Sequence, residues 1–144
     1  MARALALLEE RFPVVARSRL YESAAVGDPG GPAFLNRAVL VRCGGTAREM
    51  RAVLQGIERD LGRVRTEERN APRTIDIDLL LAMDATGAVL ADPVPDEDLR
   101  RHHHAALPAA EVAGNCVLPG DGGTLADLAR SLGPPPPGFR VAGP

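Results

Sequence analysis

The chain has 144 residues, with 17 basic and 19 acidic side chains and a formal net charge of −2 at pH 7. This length suits one domain with its own hydrophobic core, and the slightly acidic balance argues against general nucleic-acid binding. Every basic residue is an arginine. A P-loop kinase and a Schiff-base enzyme are therefore excluded, because both need a lysine.

No apolar run approaches the roughly 18 residues of a membrane-spanning helix. The apolar start of the chain is cut short by charged residues from Glu9 onward, which favours an amphipathic helix over a signal peptide. We therefore expect a soluble, cytoplasmic protein with no membrane partner. The oligomeric state is left open, and a monomer is the working expectation.

The first half of the chain shows clear helix and strand patterns. The predicted elements are, in order, a helix over 2–12, a strand over 14–22, a loop over 23–33, a strand over 34–43 and a helix from Thr46 to about Leu61. Thr46 and Glu49 have the spacing of a capping box, and the apolar positions that follow recur at helical spacing.

The second half is less regular. The predicted elements are an arginine-rich loop over 62–73, a strand over 75–82, a turn over 84–87, a strand over 88–91, and short helices over 95–101 and 124–132. Residues 134–144 form a tail too rich in proline to pack. We expect a single domain over 1–133, an α+β sandwich with one antiparallel sheet and helices on one face.

Two carboxylates stand two residues apart on the predicted strand over 75–82. Residues two apart on a strand point to the same face, so Asp76 and Asp78 are expected side by side. Such a pair repels unless cations offset the charge, and Mg²⁺ is normally held by one or two carboxylates plus substrate phosphates. The alternative is a half-exposed strand whose polar face carries aspartates.

The loop before this strand carries four arginines and two glutamates, a local charge of 4 − 2 = +2. Guanidinium groups neutralise the charge that develops in phosphoryl transfer, and a loop bracketed by Gly62 and Pro72 can close as a lid. The alternative is an ordinary solvated loop. On the preceding helix, Gln55 and Glu58 are three apart and are expected to share a face. Either residue is a plain surface residue or reaches the nucleotide, and both interpretations are open.

The run from Pro72 to Asp78, Pro-Arg-Thr-Ile-Asp-Ile-Asp, resembles the 6-hydroxymethyl-7,8-dihydropterin pyrophosphokinase family of folate biosynthesis. Upstream, the segments 18–23 and 34–36 look like the family's pterin loop and its aromatic-Leu-Asn signature. The resemblance covers most of residues 1–110. It implies a ferredoxin-like fold and transfer of pyrophosphate from ATP to the pterin's hydroxymethyl oxygen, with AMP as the leaving group.

The resemblance also implies a role for each matching residue. Asp76 and Asp78 would hold two Mg²⁺ ions. Arg63 and Arg73 would be catalytic, and Gln55, Glu58 and Arg65 would lie near ATP. Ser23, Val26, Phe34, Asn36 and His104 would contact the pterin, with Phe34 stacking on its ring.

The chain departs from the family pattern in two places. The family's N-terminal strand and Gly-Ser-Asn turn have no counterpart, for which a start codon assigned too late, a shortened protein or a decayed paralogue are the open explanations. His102, His104 and Asp96 stand where the family usually has arginine, phenylalanine and histidine. A metal site at His102–His104 is disfavoured, since neighbours in sequence do not share a face.

These departures leave a second function open, a non-catalytic pterin- or nucleotide-binding relative. An RNA-binding module on the same architecture is a distant third, because it needs exposed aromatic residues on its sheet and the aromatic content is only 3%.

Overall fold

A computed structural model describes residues 1–24, 31–62, 75–93 and 95–143. The helices are α1 (Ala2–Arg11), α2 (Ala47–Asp60), α3 (Asp98–Arg101), α4 (His103–Ala113) and α5 (Leu125–Ser131). The strands are β1 (Val14–Arg17), β2 (Tyr21–Ser23), β3 (Phe34–Asn36), β4 (Val39–Val41) and β5 (Arg140–Val141). Helices combined with antiparallel ladders confirm the predicted α+β class. Within the described ranges no helix could cross a membrane.

The chain divides into two compact units. The first consists of Met1–Pro13 and Val41–Leu79, and the second of Val14–Leu40 and Leu80–Pro144. The single domain expected over residues 1–133 stays a prediction.

In the first unit, α1 packs against α2. The apolar faces of both helices supply the buried residues Ala4, Leu8, Met50, Leu54 and Ile57. At the start of α2 the predicted capping box is confirmed, because Glu49 N–H donates to Thr46 Oγ1 at 3.2 Å and Thr46 N–H donates to Glu49 Oε2 at 2.6 Å. These bonds satisfy backbone donors that have no partner inside the helix.

In the second unit, α3, α4 and α5 enclose a hydrophobic core. Its buried members are Leu99, Ala105, Ala109, Cys116, Leu118 and Leu125. A second capping box, formed by Thr124 and Asp127, begins α5. The sheet of this unit has the order β3-β2-β5, with Tyr21 opposite Asn36 on one side and Val141 on the other.

Both long strands predicted in the first half are interrupted at facing residues. The strand over 14–22 is split into β1 and β2, and the strand over 34–43 is split into β3 and β4, which pairs with β1. Near the break, Ala38 N–H donates to the Ser18 hydroxyl at 3.0 Å, and that hydroxyl donates to Arg19 O at 2.7 Å. A side chain thus takes the place of a ladder carbonyl, as serine does at the ends of regular structure.

The strands predicted over 75–82 and 88–91 are wrong. In the described stretch 75–93, pairing is reduced to one isolated bridge between Met83 and Val89. A strand is maintained by successive hydrogen bonds to a neighbouring strand. Leu80 and Ala82 each accept a single backbone bond instead, for example Leu80 O from Asp96 N–H at 2.7 Å.

Helix α4 was not predicted. Its eleven residues contain Pro108, and proline inside a helix removes a hydrogen bond and normally signals a break. Four of its residues are buried: Ala105, Ala106, Pro108 and Ala109. Their burial offsets the lost hydrogen bond, and small apolar residues on several sides give no helical stripe that a sequence pattern could reveal.

The tail packs, contrary to the prediction from its proline content. Strand β5 pairs with β2, and the Phe139 ring stacks on the Tyr21 ring with their centroids 5.3 Å apart. The four prolines at 134–137 restrict the backbone, but they do not prevent the residues of β5 from pairing with β2. The helix predicted over 95–101 is also shorter, beginning only at Asp98.

Candidate active site

The acidic segment, residues 75–79 of the first unit, keeps the alternation that the sequence predicts. Asp76 and Asp78 are exposed, whereas Ile75, Ile77 and Leu79 are half-buried. The two carboxylates therefore face away from the apolar side chains, even though the segment pairs with no strand among the described residues. This arrangement places both carboxylates on the exposed side of the segment.

The acidic segment is tied to α2 by a side chain. Ile77 N–H donates to Glu58 Oε1 at 2.8 Å, and Glu58 is only 6% exposed. Gln55, three residues earlier on α2, is exposed. The two residues expected to share a face thus lie in different environments, since Glu58 is adjacent to the fully buried Ile57.

Four predicted site residues, Arg63, Arg65, Arg73 and Val26, lie outside the described residues. Among the residues that are described, no group of three or more His, Cys, Asp or Glu side chains could hold a metal ion.

In the second unit, three predicted pterin residues are brought together by β2 and β3. Ser23 and Phe34 are opposite each other in the antiparallel register. Asn36 Nδ2 donates to Ser23 Oγ at 2.9 Å, which uses one of the two amide protons of Asn36. Phe34 is 55% exposed, so its ring is available to a flat partner.

His102 and His104 stack at the start of α4. Their ring centroids are 5.1 Å apart and the rings are inclined by only 15°. Burial lowers the pKa of His104 below its ordinary value, and the neighbouring charge of His102 lowers that pKa further. His104 is therefore held in the neutral form, in which an imidazole offers both a ring face and an acceptor nitrogen.

A cavity of about 430 Å³ lies beside these histidines. This histidine cavity is lined by Ser23 and Ala24 at the end of β2, by Arg101 and His102–His104, and by Phe139 and prolines of the tail. Of the predicted pterin residues, Ser23 and His104 line it, whereas Phe34 and Asn36 are not among the described lining residues. Its mixture of ring faces and polar groups suits a flat, polar ligand.

Three residues, Arg19, Tyr21 and Glu111, form a hydrogen-bonded network in the second unit. The Tyr21 hydroxyl donates to Glu111 Oε1 at 2.5 Å, and Arg19 donates to the same carboxylate from its backbone N–H at 2.7 Å and from Nε at 2.6 Å. Burial pushes the pKa of Glu111 upward, but these hydrogen bonds outweigh it and leave the pKa below its ordinary value. Burial, followed by the bond to Glu111, raises the pKa of Tyr21.

This network joins β2, which ends at the cavity, to α4, which begins there. Sequence reasoning assigned no role to Glu111 or Phe139. Nothing in the sequence pairs Glu111 with residues 90 positions earlier. Phe139 did carry a signal, because an aromatic residue in a proline-rich tail is more stable packed than exposed.

Comparison with known proteins supports the resemblance noted in the sequence. Residues 1–114 match the family model described as 7,8-dihydro-6-hydroxymethylpterin-pyrophosphokinase. Three similar proteins are each named 2-amino-4-hydroxy-6-hydroxymethyldihydropteridine pyrophosphokinase. The protein from Methylorubrum extorquens is 36% identical over 124 residues, which cover 84% of this chain and 75% of that protein.

The protein from Pseudomonas aeruginosa is 33% identical over 122 residues, covering 83% of this chain and 74% of that protein. The protein from Synechocystis is 30% identical over 131 residues, covering 88% of this chain and 66% of that protein. The expectation of a pyrophosphokinase is thus confirmed at the level of the family. The chain belongs to the 7,8-dihydro-6-hydroxymethylpterin-pyrophosphokinase family.

Proposed function

We propose that this protein transfers pyrophosphate from ATP to 6-hydroxymethyl-7,8-dihydropterin in a reaction that depends on Mg²⁺. The products are AMP and the pterin diphosphate, an intermediate of folate biosynthesis. The observation that carries the proposal is the exposed pair Asp76 and Asp78 within a chain that belongs to this family. The ferredoxin-like arrangement, a cytoplasmic location and a monomeric state belong to the same proposal.

Asp76 and Asp78 fit the expected pair of Mg²⁺ ions. Both are exposed carboxylates, and Mg²⁺ prefers oxygen ligands and usually keeps several waters. A site of two carboxylates completed by substrate phosphates therefore needs no third protein ligand. When bound, the ions would supply charge neutralisation at the transferred group.

The arginine-rich loop contributes the remaining positive charge in this proposal. Arg63 and Arg73 would stabilise the transferring group, and Arg65 would lie close to the nucleotide, with Gln55 beside it. Arginine suits these roles because its planar guanidinium binds phosphate oxygens in pairs. These roles rest on the family resemblance, because the three arginines lie outside the described residues.

The acceptor would be recognised by residues of the second unit. Phe34 would stack on the pterin ring, Asn36 would hydrogen-bond its edge, and Ser23 and Val26 would contribute backbone contacts. Support comes from the exposed Phe34 ring and from the bond that orients the Asn36 amide. His104, held neutral at the histidine cavity, would offer a second ring face.

The alternative is a relative that binds pterin or nucleotide without catalysis. It is favoured by His104, which stands where the family usually has phenylalanine. An imidazole ring is smaller than a phenyl ring and stacks less strongly. Both functions predict binding of the pterin or of the nucleotide, so binding alone does not separate them.

The test is a turnover assay that follows AMP. Purified protein is incubated with Mg-ATP and hydroxymethyldihydropterin, and AMP is compared with samples lacking the pterin or containing EDTA. The proposal expects AMP only when Mg²⁺, ATP and the pterin are all present with the protein. Binding of pterin or ATP without AMP release supports the non-catalytic alternative, and the absence of AMP release together with the absence of binding of either ligand contradicts both functions.

A further inference from the structure

Glu58 is one of two polar residues buried among the described residues, the other being Ser18. It lies on α2 between the fully buried Ile57 and the exposed Arg59. Burying a carboxylate costs free energy unless hydrogen bonds compensate. One of its oxygens accepts a hydrogen bond from Ile77 N–H at 2.8 Å, so this buried carboxyl group contacts the backbone of the acidic segment.

Ile77 stands between the two carboxylates proposed to hold Mg²⁺. Successive side chains of an extended segment point in opposite directions, and a bond that fixes the backbone at Ile77 therefore fixes the direction of Asp76 and Asp78 together. In a sheet, neighbouring strands would do this. In the described residues the segment belongs to no sheet, so an anchoring side chain carries more of the task.

We infer that Glu58 is a positioning residue, which holds the backbone of Ile77 so that Asp76 and Asp78 can bind divalent cations together. The inference rests on the proposed metal role of these two aspartates. It gives Glu58 a different function from the nucleotide contact expected from the family resemblance. For this bond the position requires an oxygen acceptor at the reach of a glutamate.

Three variants separate this role from a general effect on stability. Glu58→Gln keeps an acceptor oxygen at the same reach. Glu58→Met fills a similar volume without an acceptor. Glu49→Ala, on the same helix, removes the capping box at the exposed end of α2 and serves as the control. It weakens α2 but leaves the Ile77 bond in place.

The first readout is Mn²⁺ binding in the presence of a non-hydrolysable ATP analogue, followed by electron paramagnetic resonance. Loss of a side chain that orients metal ligands typically weakens metal binding about 10- to 100-fold, and we expect this for Glu58→Met. Glu58→Gln is expected to remain within about threefold of the wild type, and Glu49→Ala to be unchanged, because neither removes the acceptor.

The second readout is amide hydrogen exchange at Ile77 in the wild-type protein and the variants, without metal or nucleotide. We expect a protected amide in the wild type, in Glu58→Gln and in Glu49→Ala, and loss of protection in Glu58→Met. This measurement needs no activity. If Glu58→Met does not fold, rapid exchange of the Ile77 amide in the wild type or in Glu58→Gln overturns the inference, and protection in both supports it.

The outcomes keep this inference apart from the proposed function. Absence of AMP release from the wild type contradicts the proposed activity, while Mn²⁺ binding and Ile77 exchange still test the role of Glu58. Conversely, an active wild type together with unchanged Mn²⁺ affinity in folded Glu58→Met overturns the positioning role alone.

Discussion

The acidic segment of the first unit and the histidine cavity of the second unit organise their polar groups in different ways. Asp76 and Asp78 are exposed on a segment outside any sheet in the described residues, and a bond to Glu58 fixes its backbone. The histidine cavity is bounded by a paired strand, the start of a helix and a stacked aromatic ring. Its walls are set by packing within the unit.

The difference follows from the ligands proposed for each region. A divalent cation draws carboxylates toward itself, so its ligands need only be near their final positions. A flat organic ring cannot do this, and its affinity depends on walls that are already in place. Substitutions in the acidic segment should therefore affect turnover, whereas substitutions around the histidine cavity should affect stability as well.

The largest effect is expected for Asp76→Ala and Asp78→Ala. Removing either carboxylate would remove part of the proposed metal clamp and several kcal/mol of charge stabilisation, which corresponds to a loss in turnover of roughly 1,000-fold. The free energy of unfolding should change little, because both side chains are exposed. AMP release and urea denaturation measure the two quantities.

Asp60→Ala is the matched control for these variants. It also removes an exposed aspartate from the first unit, one that pairs with Arg11 at 3.3 Å, and exposed pairs contribute little. Turnover by this variant should equal that of the wild type. Full activity in Asp76→Ala or Asp78→Ala would refute the metal assignment.

Tyr21→Phe should show the opposite pattern, a loss of stability. The substitution keeps the ring stacked on Phe139 but removes the hydroxyl that donates to the Glu111 carboxylate. Hydrogen bonds to charged groups contribute about 1.5–3 kcal/mol, and the remaining bonds from Arg19 place the expected loss at the lower end. Ser131→Ala, which removes an exposed hydroxyl bonded to Leu128 O, should be nearly neutral. Equal unfolding midpoints for the two variants would contradict the network's importance.

A smaller loss is expected when the tail is detached from the sheet. Phe139→Ala removes a half-buried ring that stacks on the Tyr21 ring, which should cost about 1 kcal/mol. Arg140→Ala removes an exposed ion pair with Glu22 at 2.9 Å and should cost less than about 1 kcal/mol. Thermal unfolding of both variants tests whether the ring or the charge holds β5. A greater loss in Arg140→Ala would reverse this assignment.

Much of the fold could be predicted where one local signal decides the structure. The capping box of Thr46 and Glu49 and the helical spacing after it predict α2 closely. The strands were less predictable because their ends depend on contacts distant in sequence, such as the bond between Ala38 and Ser18. Helix α4 was missed since its proline argues locally against a helix, while its burial depends on the whole unit.

The site shows the same division. The alternation over residues 75–79 predicts which side chains are exposed, and it holds even though the predicted strand does not. The burial of Glu58 could not be predicted, because at helical spacing it lies at the edge of the apolar face and its partner is a backbone N–H 19 residues away. Polar anchors of this kind leave no pattern in a sequence.

The smallest predicted effect is on the pH dependence of stability, and it concerns the histidine cavity alone. Burial and the charge of His102 lower the pKa of His104 in the folded protein below that of an unfolded chain, near 6.5. Below that pH the unfolded state binds more protons at this site, so stability falls as the solution becomes more acidic. His103 opposes protonation of His104 as well, whereas the Asp98 charge favours it.

His104→Gln should therefore lose less stability than the wild type between pH 7.5 and pH 5.5, measured by urea denaturation at both values. Parallel losses in the two proteins would show that His104 is as readily protonated in the folded state as in the unfolded chain, and that the cavity wall does not hold it neutral.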